Sequence, residues 1–269
     1  MKTRLMILAI VLITIASQGA YACEPSAYFL FHDDARNVLD SLEQSGSSDY
    51  FLMGILAHNI SFSNHDEDMT KKAKKYFKKC EPNCDGQNLV EAYRGSQELL
   101  HLRDRNKISS GWKFGWSKIG LAASPYDEVR KAFQRITDAV DQQPVNIVIR
   151  FLCLTAALES AAVMPEFLAT AKKDLHYLDG VLRYEQFADS IHLYFLHMSW
   201  VKYWYRAAEI SFRHGQSAWN TGDSFASLGG SQSALLSSKP FACKEWHHLD
   251  IELWERRIEE LRYEIEQSE

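Results

Sequence analysis

The chain has no excess of positive charge. Its 30 lysines and arginines are outnumbered by 35 aspartates and glutamates, for a formal net charge of −5, so the balance gives no reason to expect nucleic acid as a partner. Catalytic signatures are also missing. There is no Gly-x-Ser-x-Gly elbow, no phosphate-binding glycine loop and no His-Glu-x-x-His. His192 and His197 are five residues apart, not the four that would set both on one helix face for a metal. His247 and His248 are adjacent and point differently on a helix, and His58, His65 and Asp66 lack ligand spacing. Cys80 and Cys84 are not the Cys-x-x-Cys of redox enzymes. Glutamates are plentiful, so a carboxylate pair can still assemble without a linear trace. The expectation is nevertheless a protein that is not an enzyme and holds no cofactor or metal.

What is present is an ordinary globular composition, 46% hydrophobic over 269 residues. That excludes a largely disordered chain and allows one large domain or two small ones. Residues 1–22 read as a signal peptide: a short basic start, an apolar core over residues 5–15 and Ala20-Tyr21-Ala22 as a small-x-small cleavage site. Beyond it no long apolar run remains for a membrane span. Two fates are open. Cleavage after Ala22 releases a soluble periplasmic protein. Alternatively, Gly19-Ala20-Tyr21-Ala22-Cys23 resembles a bacterial lipobox, with Cys23 lipidated and the protein membrane-anchored. The usual leucine is replaced there by Ala20, and Tyr21 is uncommon, but a cysteine at the first mature position is rarely accidental. Export places the other four cysteines where oxidised thiols persist. Cys80-Glu-Pro-Asn-Cys84 has the composition of a turn that a small local disulfide can close, and Cys153 sits on an apolar helix as a buried thiol.

Helical periodicity runs through the chain. Helices are expected over residues 26–42, 49–60, 66–79, 88–103, from Ser124 to a break at Pro144, from Val145 through Leu152 as the opening of the next unit, and over 165–182, 187–212 and 245–267. Phe51, Leu52, Ile55 and Leu56 form one stripe of the second. The six lysines of residues 66–79 read as a solvated face ending in a turn. Residues 187–212 are aromatic around much of the helix and are expected to be buried. Residues 221–240 are Gly/Ser-rich and read as a loop or linker. The last helix carries Ile251, Trp254, Ile258, Leu261 and Ile265 in steps of 3 and 4, one narrow stripe. It either caps the end of a stack or pairs between two copies, and capping is the simpler reading.

The clearest unit begins at Ser124. A serine N-cap, Pro125 at the first helical position and acidic Asp127 and Glu128 open a helix. Its stripe is Val129, Ala132, Phe133, Ile136, Ala139 and Val140, and Pro144 ends it. Ala132, Ile136, Ala139 and Pro144 have the spacing of the second helix and terminal proline of a tetratricopeptide repeat. Upstream, Ala92-Tyr93-Arg94-Gly95 resembles the first helix of such a unit, with Tyr93 large and Gly95 small. Residues 89–182 are similar to bacterial exported helical proteins related to these repeats, which pair an Ala-Tyr-x-Gly helix with a later Asn-x-x-Ile-Arg-Phe-Leu helix, here Asn146 to Leu152. That family has no settled activity.

The resemblance implies an all-α fold: stacked antiparallel hairpins forming a tetratricopeptide-like solenoid over residues 23–220, a loop over 221–240, and a capping helix over 241–269 packed on the same domain. Stacked hairpins build a groove, so the expected function is binding another envelope protein or a peptide, with membrane contact only through a lipid at Cys23. Candidate groove residues are Tyr93, Trp112, Trp116 and Arg150. For each the plainer alternative is internal packing, and a buried Arg150 must find a carboxylate, a carbonyl or a ligand. The rival function is a small-molecule-binding or hydrolytic pocket near the aromatic helix 187–212. By analogy alone, an accessory of a solute-uptake system is a third.

Overall fold

A computed structural model describes residues 27–29, 31–64, 66–80, 86–105, 124–161, 164–184, 190–214 and 218–268. Ten α-helices and two 3-10 turns, Ala27–Phe29 and Lys239–Phe241, make up the ordered elements among these residues, with no strand. The helices are α1 (His32–Gln44), α2 (Tyr50–Asn64), α3 (Glu67–Lys79), α4 (Gln87–Arg105), α5 (Ser124–Gln142), α6 (Ile147–Ser160), α7 (Phe167–Tyr184), α8 (Ser190–His214), α9 (Ala218–Ser238) and α10 (Glu245–Glu266). The chain is therefore all-α. Residues 1–22 and Cys23 lie outside the described residues.

Each helix packs on the next, and the contacts run in opposite senses. Gly54 meets Phe77 and Ser61 meets Thr70 across α2 and α3, so the two are antiparallel. The even-numbered helices also touch one another: α2 packs on α4, α4 on α6, α6 on α8 and α8 on α10. A helix in that row has neighbours on several sides, which corrects the single stripe expected for α2. Met53 to Ser61 are all buried, whereas Phe51 and Leu52 are only half-buried. In α6, likewise, Ile149, Arg150, Phe151, Cys153, Leu154, Ala156, Ala157 and Leu158 are all buried. The odd-numbered helices have a free side. α5 shows it, since all six residues of its predicted stripe are buried.

Local chemistry sets the helix boundaries. Asp66 caps α3, its carboxylate accepting from the N–H of Asp68 and Met69 at 3.0 and 3.1 Å. Pro144 stands in the turn between α5 and α6, and Asn146 caps α6 by accepting from Ile149 N–H at 3.2 Å. Between α4 and α5 the small residue matters most. A Cβ at Gly95 would lie 2.6 Å from the Ala132 carbonyl oxygen and 2.7 Å from Ile136 Cγ1.

The Gly/Ser-rich stretch is not a loop. Residues 218–238 form α9, packed closely along α8. Composition misleads here because the serines are placed, not scattered. Ser224, Ser231 and Ser238 are fully buried at seven-residue spacing, with Leu228 and Leu235 between them on the same stripe. Ser231 donates to the Val201 carbonyl of α8 at 3.0 Å, so its hydroxyl is satisfied at the seam. Gly230 leaves room for the Trp204 indole, which a Cβ there would approach to 3.0 Å.

The core has two parts, and α8 belongs to both. Ile191, Leu196 and Tyr203 join the large cluster that runs back to Phe29. Tyr194, Met198, Val201 and Ala208 join a second, formed with Leu228 and Leu235 of α9 and the α10 stripe Ile251, Trp254, Ile258, Leu261 and Ile265. α10 thus packs on α8 and α9 through its apolar stripe.

Candidate functional site

The fold places two of the four predicted groove residues inside the protein. Tyr93 is 1% exposed, edge-on to His58 at 5.0 Å and stacked on Phe77 at 5.7 Å. Burial pushes its phenol far above the ordinary range. Arg150 finds both of the protein partners that a buried arginine needs. Its Nε–H donates to the Pro144 carbonyl at 2.9 Å and its NH1 to Asp174 at 2.6 Å, while the guanidinium lies 4.2 Å over the Tyr177 ring. Both are therefore packing residues: Tyr93 binds α4 to α2 and α3, and Arg150 binds the α5–α6 turn to α7. Trp112 and Trp116 lie outside the described residues. Cys80 is disulfide-bonded, and Cys84, its predicted partner, lies outside them as well. Cys153 is a buried free thiol, pushed well above the usual value, first by burial and then by Asp174.

The site that emerges is a cleft of about 640 Å³ on the even-numbered row. The C-terminal ends of α2 (Phe62, Ser63) and α6 (Leu158, Glu159) contribute to it, along with one face of α8 and one face of α10. On α8 the lining residues are Phe195, Lys202, Tyr205, Arg206, Glu209 and Arg213, which fall on one helical face. On α10, Asp250, Leu253, Trp254, Arg257, Leu261 and Glu264 repeat at helical spacing. The two faces meet where the Tyr205 ring stands edge-on to Trp254 at 5.4 Å.

Cations and rings are interleaved in this cleft. Lys202 Nζ is 5.9 Å from the ring centroids of both Phe62 and Trp254, and the Arg257 guanidinium is 4.8 Å over Trp254. Among the described residues neither cation is in an ion pair. Glu209 is held differently. Its side chain is 8% exposed and sits between Arg206, in a short ion pair, and Arg213 at 2.8 Å. Burial raises the Tyr205 pKa and Glu209 adds to that, while Arg206, Arg257 and Arg213 pull it back. The phenol therefore stays a neutral donor rather than a base. This arrangement suits the binding of a ligand that is part apolar and part charged.

Phe31 and His32, at the start of α1, also line the cleft. Phe31 lies against Phe195 and Trp246 at 5.1 and 6.0 Å, and His32 against Trp246 at 5.3 Å. His32 adopts φ 51°, in the left-handed region, with Nδ1 3.0 Å from Asn64 Oδ1. Asp34 and Lys244 pair at 3.5 Å. Behind them His247 is fully buried, its Nδ1 accepting from the N–H of Cys243 and Lys244 at 3.0 and 3.3 Å. Its ring stacks on Tyr194 at 3.8 Å. The imidazole is neutral, and its pKa is lowered to about 4, by burial first and then by His248 and Lys244.

Sequence reasoning missed the α8 and α10 charges. Their signal was polar residues at 202, 206, 209 and 213 interrupting an aromatic helix at helical spacing. No protein-family model matches the chain, and no curated protein or solved structure is similar enough to count as a match.

Proposed function

We propose that the protein is an exported helical-repeat binding module of the bacterial cell envelope. In this reading it takes up a peptide or a segment of another envelope protein in the cleft between α8 and α10, and it catalyses no reaction. The observation that carries the proposal is the cleft's composition: rings of Phe62, Tyr205 and Trp254 beside Lys202 and Arg257, neither in an ion pair among the described residues. A tetratricopeptide-like solenoid is supported by the packing pattern, hairpin on hairpin with every second helix in a row. On that reading α10 is the capping helix, covering the open face of the last hairpin. Export rests on residues 1–22 and anchoring on a lipid at Cys23. An oxidised Cys80 suits the same compartment.

A second reading, a small-molecule-binding protein, is favoured by one observation: the cleft lies on the aromatic helix and its volume is within the range of small-ligand sites. One experiment tests the proposal. The mature protein is cross-linked in its native envelope alongside Lys202→Glu and Arg257→Glu, both on half-exposed side chains outside the core. The expected outcome is a peptide or protein adduct formed by the parent chain and lost from both folded variants. Equal adducts from all three would refute the cleft as the binding site, and a small molecule retained in place of any adduct would favour the second reading.

A further inference from the structure

The charges that α8 and α10 bring to the cleft are sorted by wall, with Glu159 of α6 lining it apart from both. On α8, Lys202, Arg206 and Arg213 stand against the lone Glu209. On α10, Asp250, Glu260 and Glu264 stand against the lone Arg257. Glu209 is engaged by Arg206 and Arg213. Lys202, Arg257, Asp250 and Glu260 line the same cleft, yet among the described residues none of them is in an ion pair, so the unpaired charge of the α10 wall is net negative. Between the two walls lie the rings of Phe62, Tyr205 and Trp254.

From this sorting we infer that the cleft is a bipolar seat for a short peptide whose two ends are both charged. This deepens the binding-module reading and rests on it. A purely anionic ligand is attracted by Lys202 and repelled by Asp250 and Glu260, and a purely cationic ligand meets the converse. An uncharged ligand leaves both walls as they are. Only a molecule with both signs at its two ends is drawn by both walls, and like-charge juxtaposition rejects the others. A free peptide has that form: its carboxylate goes to Lys202, its ammonium to the carboxylates of α10, and an apolar side chain to the rings. The volume of about 640 Å³ is in the middle of the range for small-ligand sites, which suits a few residues rather than one amino acid.

The test is calorimetric titration of the mature chain at low salt with tripeptides Ala-Xaa-Ala, where Xaa is leucine, phenylalanine or tyrosine. The same peptides are used N-acetylated and C-amidated, and free amino acids are titrated separately. The expected result is binding of the unblocked peptides, weakened at least about tenfold by either block, the effect of one charge-assisted hydrogen bond. Lys202→Gln should weaken the unblocked peptides about tenfold and leave the C-amidated ones unchanged, because that end no longer carries charge. Glu260→Gln should show the matching pattern toward the N-acetylated peptides. Both positions are at least partly exposed, and circular dichroism checks that both variants fold. Equal affinity for blocked and unblocked peptides overturns the bipolar seat while leaving the binding module intact. Binding of amino acids without tripeptides overturns the peptide assignment. If no tripeptide binds while the envelope adduct still forms at the cleft, this inference alone fails. The loss of both takes the binding-module reading with it.

Discussion

Gly95→Ala sets two effects against each other at one position. Gly95 is inside α4, where replacing glycine by alanine ordinarily stabilises a helix by about 1 kcal/mol. The structure reverses the sign. The new Cβ would sit 2.6 Å from the Ala132 carbonyl oxygen, 2.7 Å from Ile136 Cγ1 and 3.2 Å from Arg135 Cβ. Two of these are closer than carbon atoms approach, and one is backbone, so no rotamer change relieves the clash. Ile136 is itself fully buried and cannot swing away. α4 and α5 must separate along their whole contact, and overpacking of this kind costs about 1–3 kcal/mol or more. Set against the propensity gain of about 1 kcal/mol, the net expectation is a loss of up to about 2 kcal/mol. Gly180→Ala is the matched control. It is inside α7 with nothing within 4 Å of its Cβ, so it should gain up to about 1 kcal/mol from propensity alone. Urea unfolding followed by circular dichroism reads both. If Gly95→Ala stabilises the protein as much as Gly180→Ala does, the close approach of α4 and α5 is wrong, and the hairpin geometry argued from it fails.

Three more expectations concern groups inside the fold. His247 has a folded pKa of about 4 against an ordinary 6.5, so between those values the unfolded chain takes up a proton that the folded chain refuses. Stability should fall as pH drops from about 6.5 toward 4, at up to about 1.4 kcal/mol per pH unit and about 3 kcal/mol in total. Urea midpoints at pH 7.5, 6 and 5 should show this slope, and His247→Asn should flatten it. Asp174→Ala strands the Arg150 guanidinium and should cost about 3–5 kcal/mol, whereas replacing both partners by apolar residues of similar volume should restore most of that in the same assay. Asp66→Ala removes the α3 cap and the 3.2 Å pair with Arg36, for a loss of about 1–2 kcal/mol in thermal unfolding.

Stripes on the outer helices were legible in the sequence because each faces a single layer. The predicted positions 129, 132, 133, 136, 139 and 140 of α5, and 251, 254, 258, 261 and 265 of α10, are all buried. α2 was read as a helix with one stripe, of which Ile55 and Leu56 are buried and Phe51 and Leu52 half-buried; burial on nearly all sides erases the periodicity that would have shown the rest. α9 was missed because serine and glycine are loop residues by composition, and only their seven-residue register shows a seam. Arg150 was chosen for a sound reason, an arginine among apolar residues, but its carboxylate is 24 positions further on at Asp174 and leaves no local trace. The cleft residues are more distant still, with Lys202 of α8 and Trp254 of α10 separated in the chain by the whole of α9.

The geometry of α8 explains why the charges are where they are. It is 25 residues long, with one face in the large core and another in the second core formed with α9 and α10. Its third face, at residues 202, 205, 206, 209 and 213, lines the cleft. A charge on that face is partly withdrawn from water and must be compensated nearby. Glu209 is compensated within the helix, by Arg206 one turn earlier and Arg213 one turn later. Lys202 is treated otherwise: it leans on the faces of Phe62 and Trp254, a contact worth about 0.5–2 kcal/mol that leaves the ammonium's hydrogen-bonding capacity unspent. An incoming carboxylate can therefore be met at Lys202 without breaking an ion pair, whereas at Arg206 or Arg213 it would have to displace Glu209.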